Sequence, residues 1–285
     1  MALDYDEVMA KVETDIPFSY TDADTMLYAL CIGMGRDPLN AKELPYVYEL
    51  GGEPLTVPTL ATVLVPDMFP RDLGWDYSQV LHSEQRMQLY RPLPAAAELL
   101  INKRVVDVLD WGKNRGALFL LEAEGRLASD DTVLFTAGCT IMARGDGGFG
   151  GPTGKGPAPH RAPKREADLS CEIRTRPDQG LLYRLTGDRN PLHADPTAAA
   201  AVGFDRPILH GLCTFGIACN AVLQTICDYD HTLIEGFDAR FSSPVLPGDT
   251  IRTDMWQDGN IVSFRCTARE RGTIVLRNGK CTLRV

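Results

Sequence analysis

The string "GDRNPLHADP", Gly187 to Pro196, packs two aspartates, an asparagine and one of the chain's five histidines into ten positions, and proline breaks it twice. Asp188 and His193 lie five residues apart around a proline turn, a spacing that can aim a carboxylate and an imidazole at one shared water. Gly211, eighteen residues after His193, opens the apolar segment "GLCTFGIACNAVLQTIC". If that segment is a helix, the Gly211 amide is an unpaired donor at its positive end, suited to a developing oxyanion. Glycine there also lets a substrate carbonyl come close to the backbone. An acid/base pair beside an amide oxyanion hole equips a site for chemistry next to a carbonyl, passing through an enolate. The string has a plainer side as well. Asp, Asn and Pro favour turns, and Asp195 followed by Pro196 reads as a helix cap.

These residues need a frame. The segment Gly211 to Cys227 is apolar nearly all round, which predicts a helix buried on most sides. In "VSFRCTA", Val262, Phe264, Cys266 and Ala268 alternate with polar residues at the period of a half-buried strand, and "KCTLRV" repeats this with Cys281, Leu283 and Val285. A buried helix followed by long antiparallel strands predicts a sheet wrapped around a helix. The chain also resembles itself: "RPLP" ends at Pro94 and "PVLP" at Pro247 (247 − 94 = 153), and the same offset aligns Pro38 with Pro191 and Asn40 with His193. Where the second copy has Asp188 and His193, the first has Gly35 and Asn40, so only one copy keeps titratable groups there. The glycine- and proline-rich stretch 145–166 cannot build a core and reads as a linker between units 1–144 and 167–285.

Composition narrows the function. A formal net charge of −9 argues against nucleic acid or an anionic membrane surface as the partner. No 18-residue apolar run predicts a membrane span, and the acidic start does not read as a signal peptide. Of the eight cysteines, most sit in apolar runs and none forms a C-x-x-C pair, so free buried thiols and a cytoplasmic location are expected. No cluster of metal ligands and no phosphate-cradling glycine loop is visible, so neither a metal nor a redox cofactor is expected.

The string "YRLTGDRNPLHADPTAAAAVGFDRPILHGLCTFG" closely resembles the MaoC-like (R)-specific 2-enoyl-CoA hydratases known as hydratase 2. The resemblance continues through "FSSPVLPGDTIRTDMW" and covers the first half in "YTDADTMLYAL", "VPTLATVL" and "LHSEQRMQLYRPLP". It implies an α+β double hot-dog fold, each unit a long helix wrapped by an antiparallel sheet, with the first central helix shortened to admit a bulky acyl chain. The brief "TVPTLATVLVP" agrees with that shortening.

The resemblance also implies site residues. It places the acid/base pair on Asp188 and His193 and the oxyanion amide on Gly211, with Asn190 fixing the loop or the water. It implies thioester or coenzyme A contacts from His82 and Ser83 (where the family has His-Gly), from Phe241, and from a lysine whose position is taken by Trp111, with Lys113 two residues on. Arg206 either meets coenzyme A phosphates or caps a loop, His210 either supports the site or simply packs, and Glu49 matches a family acid. His160 and His231 read as solvated. The implied activity is reversible hydration of trans-2-enoyl-CoA to (3R)-3-hydroxyacyl-CoA with medium, long or bulky acyl groups, in fatty acid or sterol side-chain breakdown. The implied assembly is a homodimer, with coenzyme A present only as part of the substrate. The alternative is a hot-dog acyl-CoA thioesterase or an acyl-binding module.

Overall fold

The computed structural model describes residues 3–66, 68 and 79–285. Strands β1 (Val12–Tyr20), β2 (Val80–Leu89), β3 (Ala97–Asp110), β4 (Ala117–Leu127) and β5 (Val133–Ala143) come from the first half. Strands β6 (Leu169–Arg174), β7 (Ile234–Phe241), β8 (Thr250–Asp258), β9 (Ile261–Ala268) and β10 (Thr273–Leu283) come from the second. All ten form one sheet in the order β1-β3-β4-β5-β2-β7-β10-β9-β8-β6. Each half therefore runs through its strands in the same order. The two meet where β2 pairs antiparallel with its counterpart β7, from Glu84 opposite Arg240 to Gln88 opposite Gly236. That pairing gives the repeat its approximate two-fold relation.

Among the described residues the helices are few: α1 (Tyr5–Met9), α2 (Asp22–Cys31), α3 (Gln179–Tyr183), α4 (Pro196–Ala201) and α5 (Gly211–Thr225). Helix α2 begins in a capping box, with Asp24 accepting from the Thr21 amide at 2.8 Å and Thr21 accepting from the Asp24 amide. Helix α5 is the expected central one, and every residue from Cys213 to Leu223 is buried. The sheet curls around it. Phe215 on α5 meets Phe237 on β7 edge-on at 5.0 Å, and Phe237 stacks on Phe264 of β9 at 4.7 Å. Each buried ring of this kind stabilises the fold by ~1.5–3 kcal/mol. In the first half the described part of the corresponding place holds a five-residue 3-10 turn, Pro58–Thr62.

The stretch 145–166 contains no helix or strand and lies against the sheet. Asp110 accepts from the amides of Gly148 and Gly150, and Trp111 donates to the Gly154 carbonyl. His160 bonds Ser263 on β9 at 2.7 Å, and Trp256 on β8 donates to the Arg165 carbonyl. This corrects two expectations. His160 is packed rather than solvated, and Ser263 is buried because the stretch 145–166 covers the polar side of its strand. His231 is half-buried, its ring edge-on to Tyr46 at 6.1 Å. No described helix is long and apolar enough to cross a membrane.

Candidate active site

Turn chemistry winds the segment after α3 into a compact loop. Asp188 Oδ1 accepts from the Asn190 amide at 3.0 Å, and Asn190 Oδ1 accepts from the Leu192 amide at 3.0 Å, capping the 3-10 turn Pro191–His193. Asp195 then caps α4 through the Thr197 amide, as its sequence setting implied. The loop returns His193 beside Asp188. The His193 Nδ1–H donates to the Ile208 carbonyl at 2.8 Å, which leaves Nε2 as the free lone pair of the neutral ring. Burial lowers the His193 imidazole below its ordinary value, against smaller raising effects from the Ile208 carbonyl and Asp188.

His210 completes the group. Its ring lies against His193 with centroids 3.7 Å apart and planes 30° apart, and its Nε2–H donates to the Asp188 carbonyl at 3.2 Å. Ligand-type atoms of Asp188, His193 and His210 all fall within 4.8 Å of one another. The sequence spacing showed no such cluster, so that expectation is corrected.

Gly211 is exposed at the start of α5, where the first intrahelical bond runs from the Thr214 amide to the His210 carbonyl. The amides before Thr214 are thus free of helical partners. A Cβ on Gly211 would lie 3.0 Å from the Phe241 ring, so only glycine leaves that face open. Phe241 ends β7 and meets His82, at the start of β2, at 4.9 Å between ring centroids. Burial pushes His82 down to about 4, with the Glu84 carbonyl and Asp188 among the opposing influences. A register shift in β2 between His82 and Glu84 sets Ser83 in a bulge, and its hydroxyl donates to the Thr140 carbonyl at 2.9 Å. The site therefore straddles the β2–β7 seam and takes side chains from both halves.

The remaining candidates lie apart. Lys113 sits in the β3–β4 connection with its stem against Gly148, and Arg206 is exposed between α4 and α5. Neither contacts the Asp188 group among the described residues. Glu49 is exposed, whereas the buried acid of that region is Glu43. Sequence reasoning passed over Glu43 because it carries no motif. It also missed Tyr183, fully buried with its ring 4.9 Å from that of His210.

Two family models match in tandem: the MFE-2 hydratase 2 N-terminal domain over residues 18–145 and the MaoC like domain over residues 158–278. The chain is 37% identical over 289 residues to the enoyl-CoA hydratase ChsH3 of Mycobacterium tuberculosis, covering 98% of each chain. It belongs to the enoyl-CoA hydratase 2 family. A further family member, the peroxisomal enoyl-CoA hydratase 2 of Arabidopsis thaliana, is 36% identical, over 95% of this chain and 93% of that one. Among solved structures, the MaoC-like dehydratase of Phytophthora capsici superposes with a TM-score of 0.86 at 31% identity, covering 98% of both chains. The full-length peroxisomal multifunctional enzyme type 2 of Drosophila melanogaster gives 0.82 at 33% identity, and there the match covers 96% of this chain but 48% of that one. The double hot-dog architecture is common to this family.

Proposed function

We propose that the chain hydrates trans-2-enoyl-CoA reversibly to (3R)-3-hydroxyacyl-CoA, as the names of its enoyl-CoA hydratase relatives suggest. One observation carries the reading: the Asp188 carboxylate and the His193 imidazole, whose Nε2 is free, stand together beside the open amide end of α5. In the forward direction the pair removes a proton from one water as its oxygen bonds to the β-carbon. The carbon–carbon π electrons move toward the thioester carbonyl, and the Gly211 amide stabilises the enolate oxygen. A proton then returns from the pair to the α-carbon. Positioned acid/base groups of this kind contribute ~10² to 10⁴ in rate.

Asn190 serves through its cap on the turn that carries His193. His82 and Phe241 form the wall facing the thioester, and Lys113 and Arg206 are cations for the coenzyme A portion. The reading asks for no metal or redox cofactor, since the proton transfers and the amide complete the chemistry. The 3-10 turn Pro58–Thr62, standing where the other half has a full helix, favours medium to long or bulky acyl groups of the kind met in fatty acid or sterol side-chain breakdown. A homodimer in the cytoplasm fits the reading. All eight cysteines are free and seven are buried, which suits a reducing compartment.

Incubation with crotonyl-CoA tests the proposal. Loss of the enoyl absorbance with formation of the 3R alcohol is the expected result. Release of free coenzyme A thiol would instead mark a thioesterase, and binding without either change would mark an acyl carrier.

A further inference from the structure

We infer that His210 is a positioning residue that holds Asp188, His193 and Gly211 in mutual register. It is 1% exposed and stands at the junction of three elements. Its Nε2–H holds the Asp188 backbone carbonyl, its ring face supports His193, and its peptide leads directly into Gly211 and α5. The Tyr183 ring also packs against it at 4.9 Å, so the imidazole is held by two rings. Its contacts thus reach both members of the acid/base pair, and its peptide adjoins the amide.

The protonation state follows from the same geometry. A backbone carbonyl only accepts, so Nε2 of His210 carries the proton and Nδ1 carries the lone pair. Nδ1 is buried without a hydrogen-bonding partner. A second proton there would place an unpaired charge in a desolvated site, 3.7 Å from another imidazole. The titratable and charged groups that face His210 are His193, Asp188, Tyr183 and Arg184. Of these only Asp188 favours the charged ring, and burial together with His193 outweighs it, holding His210 down to about 4. His210 is therefore a neutral platform. Stacked on it, His193 is held in one orientation with Nδ1–H on the Ile208 carbonyl and a ring nitrogen within 4.8 Å of an Asp188 carboxylate oxygen.

The inference rests on the hydratase reading for its kinetic test, but not for its spectroscopic one. Two variants separate the contacts. His210→Phe keeps a ring against His193 and loses the donor to Asp188, whereas His210→Gln keeps an amide donor and loses the ring face. Crotonyl-CoA kinetics should show kcat lowered by about 10- to 100-fold in His210→Phe with KM changed less than about threefold, the pattern of misplaced chemistry rather than lost binding. In parallel, 15N spectra of the His193 ring in the full-length protein should show one neutral Nδ1–H tautomer near pH 7 in the parent. In His210→Gln they should show mixed tautomers and a titration shifted upward toward the ordinary histidine value. Unchanged kcat in a folded His210→Phe variant, or unchanged His193 spectra in His210→Gln, would overturn the inference. If His210→Phe does not fold, the His210→Gln spectra decide alone. If the parent protein hydrates no enoyl-CoA, the functional reading fails, and the His193 spectra still decide the role of His210.

Discussion

The Asn40 side-chain amide donates to the Tyr229 hydroxyl across 3.0 Å, so the residue that matches His193 in the repeat grips the turn that ends α5. Tyr229 in turn donates to Glu43 at 3.1 Å, and Glu43 accepts from the Gly35 amide at 2.8 Å. The Tyr46 hydroxyl donates to the Tyr229 carbonyl, and Lys42 pairs with Asp228. Asp228 and Tyr229 have left-handed backbone, with φ of 49° and 67°, so this turn depends on being held. The faded copy thus anchors the tail of the helix whose head is Gly211.

Removing that anchor should lower stability. Asn40→Ala is expected to cost ~1 kcal/mol, and Glu43→Ala more, because it strips partners from Tyr229 and from the Gly35 amide. Gly35→Asp should create no second active site and should destabilise, since Gly35 has φ +71° and an added Cβ would lie 3.1 Å from Val47. Thermal unfolding of the three variants checks this. A Gly35→Asp protein as stable as the parent would contradict it.

Asp188→Asn and His193→Gln should each lower hydration by ~10² to 10⁴ while leaving the melting temperature nearly unchanged. An asparagine keeps the acceptor that the Asn190 amide uses, so the loop retains its turn. A folded Asp188→Asn enzyme with parental turnover would remove Asp188 from the chemistry.

Gly180 on α3 lies directly under the loop Gly187–Pro196. A methyl there would stand 2.8 Å from the His193 carbonyl oxygen, a backbone atom that can yield only by moving His193. Gly180→Ala should therefore lower kcat by about 10- to 100-fold, as a displacement near 1 Å does, with a smaller effect on KM. Equal activity in the variant would show that the loop adjusts without moving the imidazole.

Burial lowers His82, His193 and His210 alike. A base with a lowered value stays neutral to lower pH, so the acid limb of the kcat/KM profile should fall below 6.5, the ordinary histidine value. Stability follows the same sign. The unfolded chain takes up these protons first, so stability is full above about 6.5 and declines as pH falls toward about 4. Urea midpoints between these limits, measured beside the rate profile, test both statements. An acid limb above the ordinary value would refute the first.

Chain length probes the 3-10 turn. Leu60 is 2% exposed and belongs to the apolar cluster that runs under both halves of the sheet, and Val63, partly buried, packs against it. If the acyl tail lies beside them, kcat/KM should rise from crotonyl- to decenoyl-CoA by up to ~0.8 kcal/mol, about fourfold, per methylene. Leu60→Trp, or a bulky aliphatic group at Val63, should reverse that rise. A flat series, or equal loss of short and long substrates in Leu60→Trp, would place the acyl tail elsewhere.

Several features were legible in the sequence because they are decided within about ten residues. The turn chemistry of Asp188, Asn190 and Asp195, the buried helix from Gly211, and the alternation along Val262–Ala268 all depend on local periodicity and capping. The 153-residue offset likewise exposed the two copies and the one that had lost its titratable pair. Sheet register decided the rest. The pairing of β2 with β7 brings His82 to Phe241, residues whose separation along the chain hides any relation between them. The close return of the chain at Ile208–Gly211 sets His210 against His193 and beneath Asp188, and a lone histidine before a helix gives no local sign of that. Glu43 and Ser263 became buried for the same reason: their partners, Tyr229 and His160, arrive from distant segments. Side-chain period and turn preference are properties of a short segment, whereas contact across the molecule is fixed only when all the strands have chosen their neighbours.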